Sequence, residues 1–216
     1  MIKAVLFDMD GTMLDTEPVS AGCWKKAAKE LGYMIEDRFM NTLYGKNFAS
    51  IEMALREEFG IDKEKAWEII DGRLVHYRRY LAEHDVPKKE GLVEVLEYLK
   101  SKDIPAVVCT STEKATAEMV LRKAGIYNYF AGYVYGDMVT RSKPDPQGFH
   151  MAAEMAGQKP MDCLVVEDSP NGVLAGKAAG GYVAYIPDCI EVPRDVLEGI
   201  TVQLNDLNEL IEWLRR

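Results

Sequence analysis

The stretch Ala4-Val5-Leu6-Phe7-Asp8-Met9-Asp10-Gly11-Thr12 joins a four-residue apolar run to two aspartates and a glycine. A short apolar run bounded by turn residues is typical of a strand buried in a parallel sheet. Similar runs occur at residues 106–109, 133–135, 163–166 and 182–186, with helical patterns between them. Alternating strands and helices predict an α/β protein with a doubly wound parallel sheet.

Residues 16–87 break this alternation, because they contain no convincing strand and three helical patterns in succession. We therefore expect a small helical cap domain of residues 16–87, inserted after the first strand. The α/β core is then discontinuous and consists of residues 1–15 and 88–216. The insert leaves the sheet at the carboxyl end of the first strand, where open α/β sheets bind ligands.

The composition is that of a globular protein with an acidic surface. The chain has 216 residues, of which 48% are hydrophobic and 28% charged, and its formal net charge is -9. This charge provides no basic surface for a nucleic acid or an anionic membrane, and it favours a small soluble partner. The four cysteines, Cys23, Cys109, Cys163 and Cys189, have no metal-ligand or redox spacing. We expect them to be buried free thiols of a cytoplasmic protein.

Asp8 and Asp10 are predicted to lie where the first strand runs into a loop. Residues two apart on a strand point the same way, so both carboxylates should face one crevice. Two carboxylates this close resist joint ionisation, so one can hold a proton while the other remains a nucleophile. Gly11 allows a sharp turn that brings backbone N–H groups near an anion. The arrangement suits in-line attack on the phosphorus of a phosphate ester.

Other predicted strand ends carry residues that complement an anionic phosphate and an anionic nucleophile. Thr110 and Ser111 follow the run at 106–109, and their hydroxyls can bind phosphate oxygens. Lys143 can neutralise the phosphate and the nucleophile together. Glu167 and Asp168 follow the run at 163–166 and are hard oxygen ligands that would complete a magnesium site with Asp8.

Each of these residues also has an ordinary structural explanation. An Asp-x-Asp-Gly segment occurs in polar turns, and Lys143 could be a solvated surface lysine. Thr110, Ser111 and Asp168 are residue types that commonly cap helices. Independent caps and turns are not expected to place carboxylates, hydroxyls and a lysine at successive strand ends. The combination therefore favours catalysis.

The motifs resemble those of the haloacid dehalogenase (HAD) superfamily, in particular its β-phosphoglucomutase-like phosphatases and mutases. Residues 8–12 resemble the first motif, Thr110 the second, Lys143 the third and Glu167-Asp168 the fourth, in order and along the whole chain. The insert is similar to the small helical cap of that group. The resemblance implies a HAD-like Rossmannoid core, and a monomer is the expected state for this cap type.

The resemblance also implies a role for each motif residue. Asp8 would become an aspartyl phosphate, while Asp10 would protonate the leaving oxygen and then activate water. Mg2+ would be held by the Asp8 carboxylate, the Asp10 backbone carbonyl and Asp168, with Glu167 bound directly or through water. Thr110 and Lys143 would hold the transferred phosphoryl group. The family's dehalogenases lack the second aspartate and the metal, so this chain is not expected to be a dehalogenase.

The cap is expected to select the substrate. A β-phosphoglucomutase carries a histidine four residues after the Asp-Thr pair, and basic groups in a glycine-containing loop. This chain has Ser20 at the first place and an altered pattern in the loop at residues 43–48. Loops concentrate binding groups, although Lys46 could equally be a solvated lysine at a helix entry. The cap residues that we expect to face the substrate are Thr16, Glu17, Lys46 and Asn47.

Other cap side chains are expected to be structural. Arg73, Arg78 and Arg79 are predicted to form a solvated helix face. Trp24 and Tyr44 are predicted to belong to the cap core and not to a surface on which a substrate stacks.

The motifs leave three functions open. The first is a magnesium-dependent phosphatase that hydrolyses a small phosphorylated metabolite such as a sugar phosphate. The second is a sugar phosphomutase of the β-phosphoglucomutase type, which passes through the same phosphoenzyme but needs a bisphosphate activator. The third is a non-catalytic regulator that binds a phosphorylated metabolite. The intact set of Asp8, Asp10, Lys143 and Asp168 argues against the regulator.

Overall fold

Parallel strands form a single sheet in the computed structural model, which describes residues 2–216. Met1, the first residue of the predicted core segment 1–15, lies outside the described residues. The strands are β1 (Ala4–Phe7), β2 (Ala106–Cys109), β3 (Gly132–Val134), β4 (Cys163–Glu167), β5 (Tyr182–Tyr185) and β6 (Val202–Gln203). Their order across the sheet is β3-β2-β1-β4-β5-β6. The central strand β1 pairs in parallel with β2 and β4, for example through Val5 with Ala106 and with Leu164.

The predicted fold class is confirmed, and the five apolar runs correspond to β1–β5. Three strands differ from the prediction at their ends: β3 covers residues 132–134, β4 includes Glu167, and β5 ends at Tyr185. The sequence does not predict β6. At the edge of the sheet Val202 is only partly covered and Gln203 is exposed, so the strand leaves no apolar run to detect.

Four helices lie within residues 16–87. They are α1 (Glu17–Glu30), α2 (Asp37–Leu43), α3 (Phe48–Phe59) and α4 (Lys63–Glu83). Leu55 and Ile69 belong to a hydrophobic cluster formed within these helices. The prediction of three helices is wrong because it omits α2. This helix has seven residues and buries only Phe39, Met40 and Leu43, a pattern too short to establish a helical period.

The remaining helices cover both faces of the sheet. They are α5 (Leu92–Ser101), α6 (Lys114–Lys123), α7 (Gln147–Met155), α8 (Pro170–Ala179), α9 (Arg194–Leu197) and α10 (Leu207–Leu214). Val5 and Phe7 pack in the layer that contains α5, α6 and α10, whereas Ala4 and Leu6 pack in the layer that contains α7 and α8. Alternate residues of a strand therefore serve two cores. Among residues 2–216, no helix combines the length and the apolar character needed to cross a membrane.

The turn from β4 into α8 packs closely around Glu167. Ser169 caps the helix, because its hydroxyl accepts a hydrogen bond from the Gly172 N–H at 3.1 Å. The Gly172 backbone lies so near the Glu167 carboxylate that a Cβ at this position would overlap it. A Cβ on Gly176, one turn later, would lie 3.0 Å from a methyl group of Val165. The spacing of these glycines thus reflects the close approach of α8 to the sheet.

Gly172→Ala is expected to lower the free energy of unfolding by about 3 kcal/mol, because its methyl group must displace the buried Glu167 side chain. Gly22→Ala is the matched control, since Gly22 lies within α1 with no atom near a built Cβ. The control should raise the free energy of unfolding by roughly 0.5 to 1 kcal/mol. Urea denaturation measures both changes, and equal effects of the two substitutions would contradict the packing described for Gly172.

Candidate active site

Asp8 begins a loop at the carboxyl end of β1. Its N–H still donates to the Val166 carbonyl of β4 at 3.0 Å, so the sheet holds the residue in register. Gly11 then adopts a φ of 87°, in the left-handed region that favours glycine, and its N–H donates to the Leu14 carbonyl at 2.8 Å. This tight turn leaves the side chains of both Asp8 and Asp10 in the wall of a pocket that residues of α1–α4 also line.

Lys143 joins two buried carboxylates. Its Nζ lies 2.6 Å from Asp8 Oδ1 and 2.6 Å from Glu167 Oε1, and it donates to the Cys109 carbonyl at 3.0 Å. The side chains of Lys143 and Glu167 are 8% and 1% exposed. Removing charged groups from water is unfavourable unless they are paired and hydrogen-bonded. The ion pairs therefore make it possible to keep this lysine and these carboxylates inside the protein.

The same burial governs the ionisation of the site. Desolvation raises the pKa of Asp8 to about 8, against the opposing effect of Lys143 and with a further rise from the Glu167 charge. Desolvation disfavours the charged form of Lys143, but Asp8 and Glu167 outweigh it and raise its pKa well above the ordinary value. Lys143 is thus a cation at neutral pH. Asp8 needs additional positive charge nearby to become fully anionic.

An acidic cluster offers a place for such a charge. Asp8, Glu167 and Asp168 each present a carboxylate oxygen, and these oxygens lie within 4.8 Å of one another. Hard oxygen ligands of this kind suit Mg2+. Glu167 is already engaged, since the lysine contacts Oε1 while Oε2 accepts the N–H groups of Asp168 and Ser169 and the Ser169 hydroxyl. The carboxylates of Asp8 and Asp168 are therefore the more available ligands.

Asp10 accepts one hydrogen bond on each carboxylate oxygen. The Thr16 hydroxyl donates to Oδ1 at 2.6 Å, and the Thr112 hydroxyl donates to Oδ2 at 2.7 Å. Thr16 is expected from the sequence to face the substrate, but the structure places its buried hydroxyl on Asp10 and the residue outside the pocket lining. Thr112 lines the pocket and is not predicted, because no sequence pattern connects it to Asp10.

Thr110 and Ser111 line the same pocket as Asp8 and Lys143. The Thr110 N–H donates to the Val134 carbonyl of β3 at 3.0 Å, which continues the sheet by one residue. The Ser111 hydroxyl donates to the backbone carbonyl of Gly45, between α2 and α3, at 3.1 Å. The loop after β2 is thus fixed to the sheet at one residue and to the segment between α2 and α3 at the next.

Two of the four cap residues expected to face the substrate do line the pocket, namely Glu17 and Lys46. Asn47 lies outside the pocket lining and caps α3, since its side-chain oxygen accepts the Ser50 N–H at 3.0 Å. Burial and the Asp10 charge raise the pKa of Glu17 well above its ordinary value. A protonated Glu17 can donate a hydrogen bond to a hydroxyl of the substrate.

Arg73 lies in the pocket wall, so the prediction that it belongs to a solvated helix face is wrong. Its Nη2 donates to the Ser20 hydroxyl at 2.8 Å. Its guanidinium lies 4.5 Å from the ring centre of Tyr77 and 5.5 Å from that of Trp24. Its Nε is buried and has no hydrogen-bond partner within residues 2–216. The available sequence signal was the position of Arg73 on the apolar stripe of α4, one turn before Tyr77.

The other cap predictions are correct in part. Trp24 and Tyr44 pack with the hydrophobic cluster of α1–α4, as predicted, and both also line the pocket. Arg78 and Arg79 are exposed, as predicted. Helical spacing identifies the buried face of a helix, but it does not show which buried residues border a cavity.

The structure contains a group of ion pairs beside the pocket that the sequence does not predict. Lys89, in the segment between α4 and α5, forms one ion pair with Asp188 and another with Asp15 at 3.3 Å. The Asp188 side chain is 7% exposed and lines the pocket. Its Oδ2 is buried without a hydrogen-bond partner in the described part of the chain. Residues far apart in sequence meet here, so no local pattern reveals the contact.

The prediction for the cysteines is correct at three positions and wrong at the fourth. Cys23, Cys109 and Cys163 are buried free thiols. Cys189 is exposed, because it lies in the loop beyond the end of β5 and at the edge of the pocket.

The site combines paired aspartates at the end of the first strand, a buried lysine and an acidic cluster on a parallel α/β sheet. The family model for haloacid dehalogenase-like hydrolase matches residues 2–180. The chain therefore belongs to the haloacid dehalogenase-like hydrolases, and the family and enzyme class expected from the motifs are confirmed.

Several known proteins are similar to this chain over nearly their whole length. Hexitol phosphatase A of Escherichia coli is 30% identical over 211 residues, which cover 96% of this chain and 93% of that protein. A fructose-1-phosphate phosphatase of the same organism is 32% identical over 183 residues, or 82% of this chain and 92% of that protein. The crystal structure of a β-phosphoglucomutase from Clostridium difficile has a similar fold, with a TM-score of 0.85 at 22% identity, covering 100% of this chain and 96% of that chain.

Lys89→Met is expected to lower the free energy of unfolding by about 3 kcal/mol, because it leaves the buried Asp188 carboxylate without its ion pair. Lys3→Met provides the matched control. The Lys3–Asp162 pair is solvent-exposed, so its loss should change the free energy by less than about 1 kcal/mol. Urea denaturation measures both, and an equally small change for Lys89→Met would show that its ion pair with Asp188 contributes no more than a surface contact.

Proposed function

We propose that this protein is a magnesium-dependent phosphatase that hydrolyses a small phosphomonoester, a sugar phosphate or a similar metabolite, through an aspartyl phosphate on Asp8. The observation that carries the proposal is the contact of Asp8 with the Lys143 cation beside the Glu167 and Asp168 carboxylates, with Asp10 in the same pocket. The names of the two sequence relatives support the reaction class, since both are phosphatases of phosphorylated carbohydrates or polyols.

Asp8 acts as the nucleophile in this proposal. Its carboxylate oxygen forms a bond to phosphorus as the bond between phosphorus and the leaving oxygen breaks. Lys143, which already contacts Asp8, neutralises the negative charge of the nucleophile and of the phosphoryl group. Thr110 binds a phosphoryl oxygen through its hydroxyl and Ser111 through its backbone N–H, since the Thr110 N–H and the Ser111 hydroxyl already donate to backbone carbonyls.

The residues present suit Mg2+ as the resident metal. Asp8 and Asp168 would hold it with carboxylate oxygens, and the Asp10 backbone carbonyl would complete the set implied by the resemblance. Glu167 would orient its neighbours or a bound water, because its own oxygens accept hydrogen bonds and an ion pair from the protein. A bound divalent cation supplies Lewis-acid stabilisation of phosphate charge and favours the anionic form of Asp8.

Asp10 is the proposed acid and base. As an acid it gives its proton to the leaving oxygen, which departs as an alcohol. As a carboxylate it then takes a proton from the water that attacks phosphorus, so that Asp8 and inorganic phosphate are released and Asp10 is again protonated. Its carboxylate lines the pocket, as this role requires.

The cap would provide substrate selection and exclude water. We propose that residues 16–87 form the cap domain and residues 1–15 and 88–216 the core, with the substrate bound between them. Glu17, Lys46 and Arg73 line the pocket from the cap side and are the groups that would contact the part of the substrate beyond the phosphate. Opening and closing of the cap would admit the substrate and release the products.

A sugar phosphomutase is the second candidate, and a specific observation supports it. Lys46 and Arg73 bring two positive groups into the pocket from the cap, which is what a second phosphate on the substrate would require. The fold is also similar to that of a β-phosphoglucomutase. A mutase would interconvert sugar phosphates in the presence of a bisphosphate activator and release little inorganic phosphate.

Phosphate release from fructose 1-phosphate, hexitol phosphates and p-nitrophenyl phosphate is the test, and Asp8→Asn should reduce kcat by about 1,000-fold or more. Asp71→Asn is the matched control, because this exposed aspartate lies on α4 outside the pocket lining. It should retain wild-type turnover. Full activity in Asp8→Asn would contradict the mechanism, and bisphosphate-dependent isomerisation without phosphate release would support the mutase.

Asp168→Asn should weaken Mg2+ binding, measured by isothermal titration calorimetry, by roughly 10- to 100-fold. It should also raise the Mg2+ concentration that gives half-maximal turnover. Asp195→Asn, at an exposed position on α9, is the control for the loss of one negative charge. Equal Mg2+ affinity in wild type and Asp168→Asn would contradict the proposed metal site.

A further inference from the structure

Two threonines from distant parts of the chain hold the Asp10 carboxylate. Thr16 lies at the start of α1 and donates to Oδ1, whereas Thr112 lies in the loop after β2 and donates to Oδ2. The Thr112 bond measures 2.7 Å and joins residues 102 positions apart in sequence. Thr112 lines the pocket together with Asp10, so the contact lies within the reaction site.

Hydrogen bonds fix the backbone of Thr112 and so the position from which its hydroxyl reaches Asp10. The Thr112 N–H donates to Thr110 Oγ1 at 3.0 Å, and the Thr112 carbonyl accepts the Gly136 N–H at 2.9 Å. A Cβ on Gly136 would overlap the Ser111 backbone, so the loop after β3 packs directly on this segment. The backbone of Thr112 is therefore anchored to the core on both sides of its side chain.

We infer that Thr112 is a positioning residue for Asp10 as the acid of the first step, an inference that rests on the proposed role of Asp10. When Asp10 gives up its proton, the Thr112 hydroxyl donates to a carboxylate whose negative charge has just formed. A hydrogen bond to an ionised acceptor is stronger than one to a neutral acceptor. The bond therefore strengthens as the proton leaves, and it lowers the barrier of the step that expels the alcohol.

This role makes the effect of Thr112 depend on the leaving group. The alkoxide of a sugar phosphate is a poor leaving group and needs a proton from Asp10. The p-nitrophenolate ion is a good leaving group and departs without one. A residue that acts through the acid should therefore affect the first substrate and not the second, whereas a residue that binds the phosphoryl group should affect both.

The experiment compares fructose 1-phosphate with p-nitrophenyl phosphate for the full-length enzyme saturated with Mg2+. Thr112→Val, which removes the hydroxyl and keeps the shape, should lower kcat/KM for fructose 1-phosphate by about 10- to 100-fold. The ratio kcat/KM is the readout because it does not include hydrolysis of the phosphoenzyme, which is common to both substrates. For p-nitrophenyl phosphate, kcat/KM should change by less than about 3-fold. Thr112→Ser, which keeps the hydroxyl, should restore turnover of fructose 1-phosphate.

Thr42→Val is the matched control, since the Thr42 hydroxyl donates to the Phe39 carbonyl outside the pocket. It should resemble wild type on both substrates. An equal loss on both substrates for Thr112→Val, a raised KM for both or no effect at all would overturn the positioning role. A wild-type enzyme that releases phosphate from neither substrate would instead overturn the proposed function, and the inference with it.

Discussion

The buried ion pairs of Lys143 with Asp8 and Glu167 are the interaction on which the rest of the site depends. A charged lysine and two carboxylates remain inside the protein only because the lysine compensates both carboxylates. Strand β1 brings Asp8, strand β4 brings Glu167, and the segment before α7 brings Lys143. The groups meet because β1 and β4 lie side by side in the sheet, so the fold and the chemistry depend on the same strand pairing.

The fold could be predicted from the sequence wherever burial leaves a strong pattern. Strands β1–β5 are apolar because helices cover both faces of the sheet, and such runs are visible in a single sequence. Strand β6 and helix α2 could not be found in this way. β6 has one partly covered and one exposed residue at the sheet edge, and α2 is too short to show a period. Tertiary contacts, and not local preference, determine these elements.

The site could be predicted to the extent that it lies at strand ends. Parallel strands end at one edge of the sheet, so a sequence that places polar groups after each strand also places them together in space. The other positions around the pocket follow no such rule. Arg73 borders the pocket from the middle of a helix, Asp188 meets Lys89 through a long-range ion pair, and Thr112 reaches Asp10 from the loop after β2. These contacts depend on how helices and loops that are far apart in sequence pack together.

Detection of an acyl phosphate on Asp8 is the most direct measurement of the proposed chemistry. Enzyme that is turning over fructose 1-phosphate would be quenched in acid and treated with borohydride, which reduces an acyl phosphate but not a free carboxylate. Peptide mass spectrometry should then find homoserine in place of Asp8 in part of the sample, and only when substrate and Mg2+ were both present. An unmodified Asp8 peptide from enzyme that releases phosphate under the same conditions would contradict an aspartyl phosphate at this position.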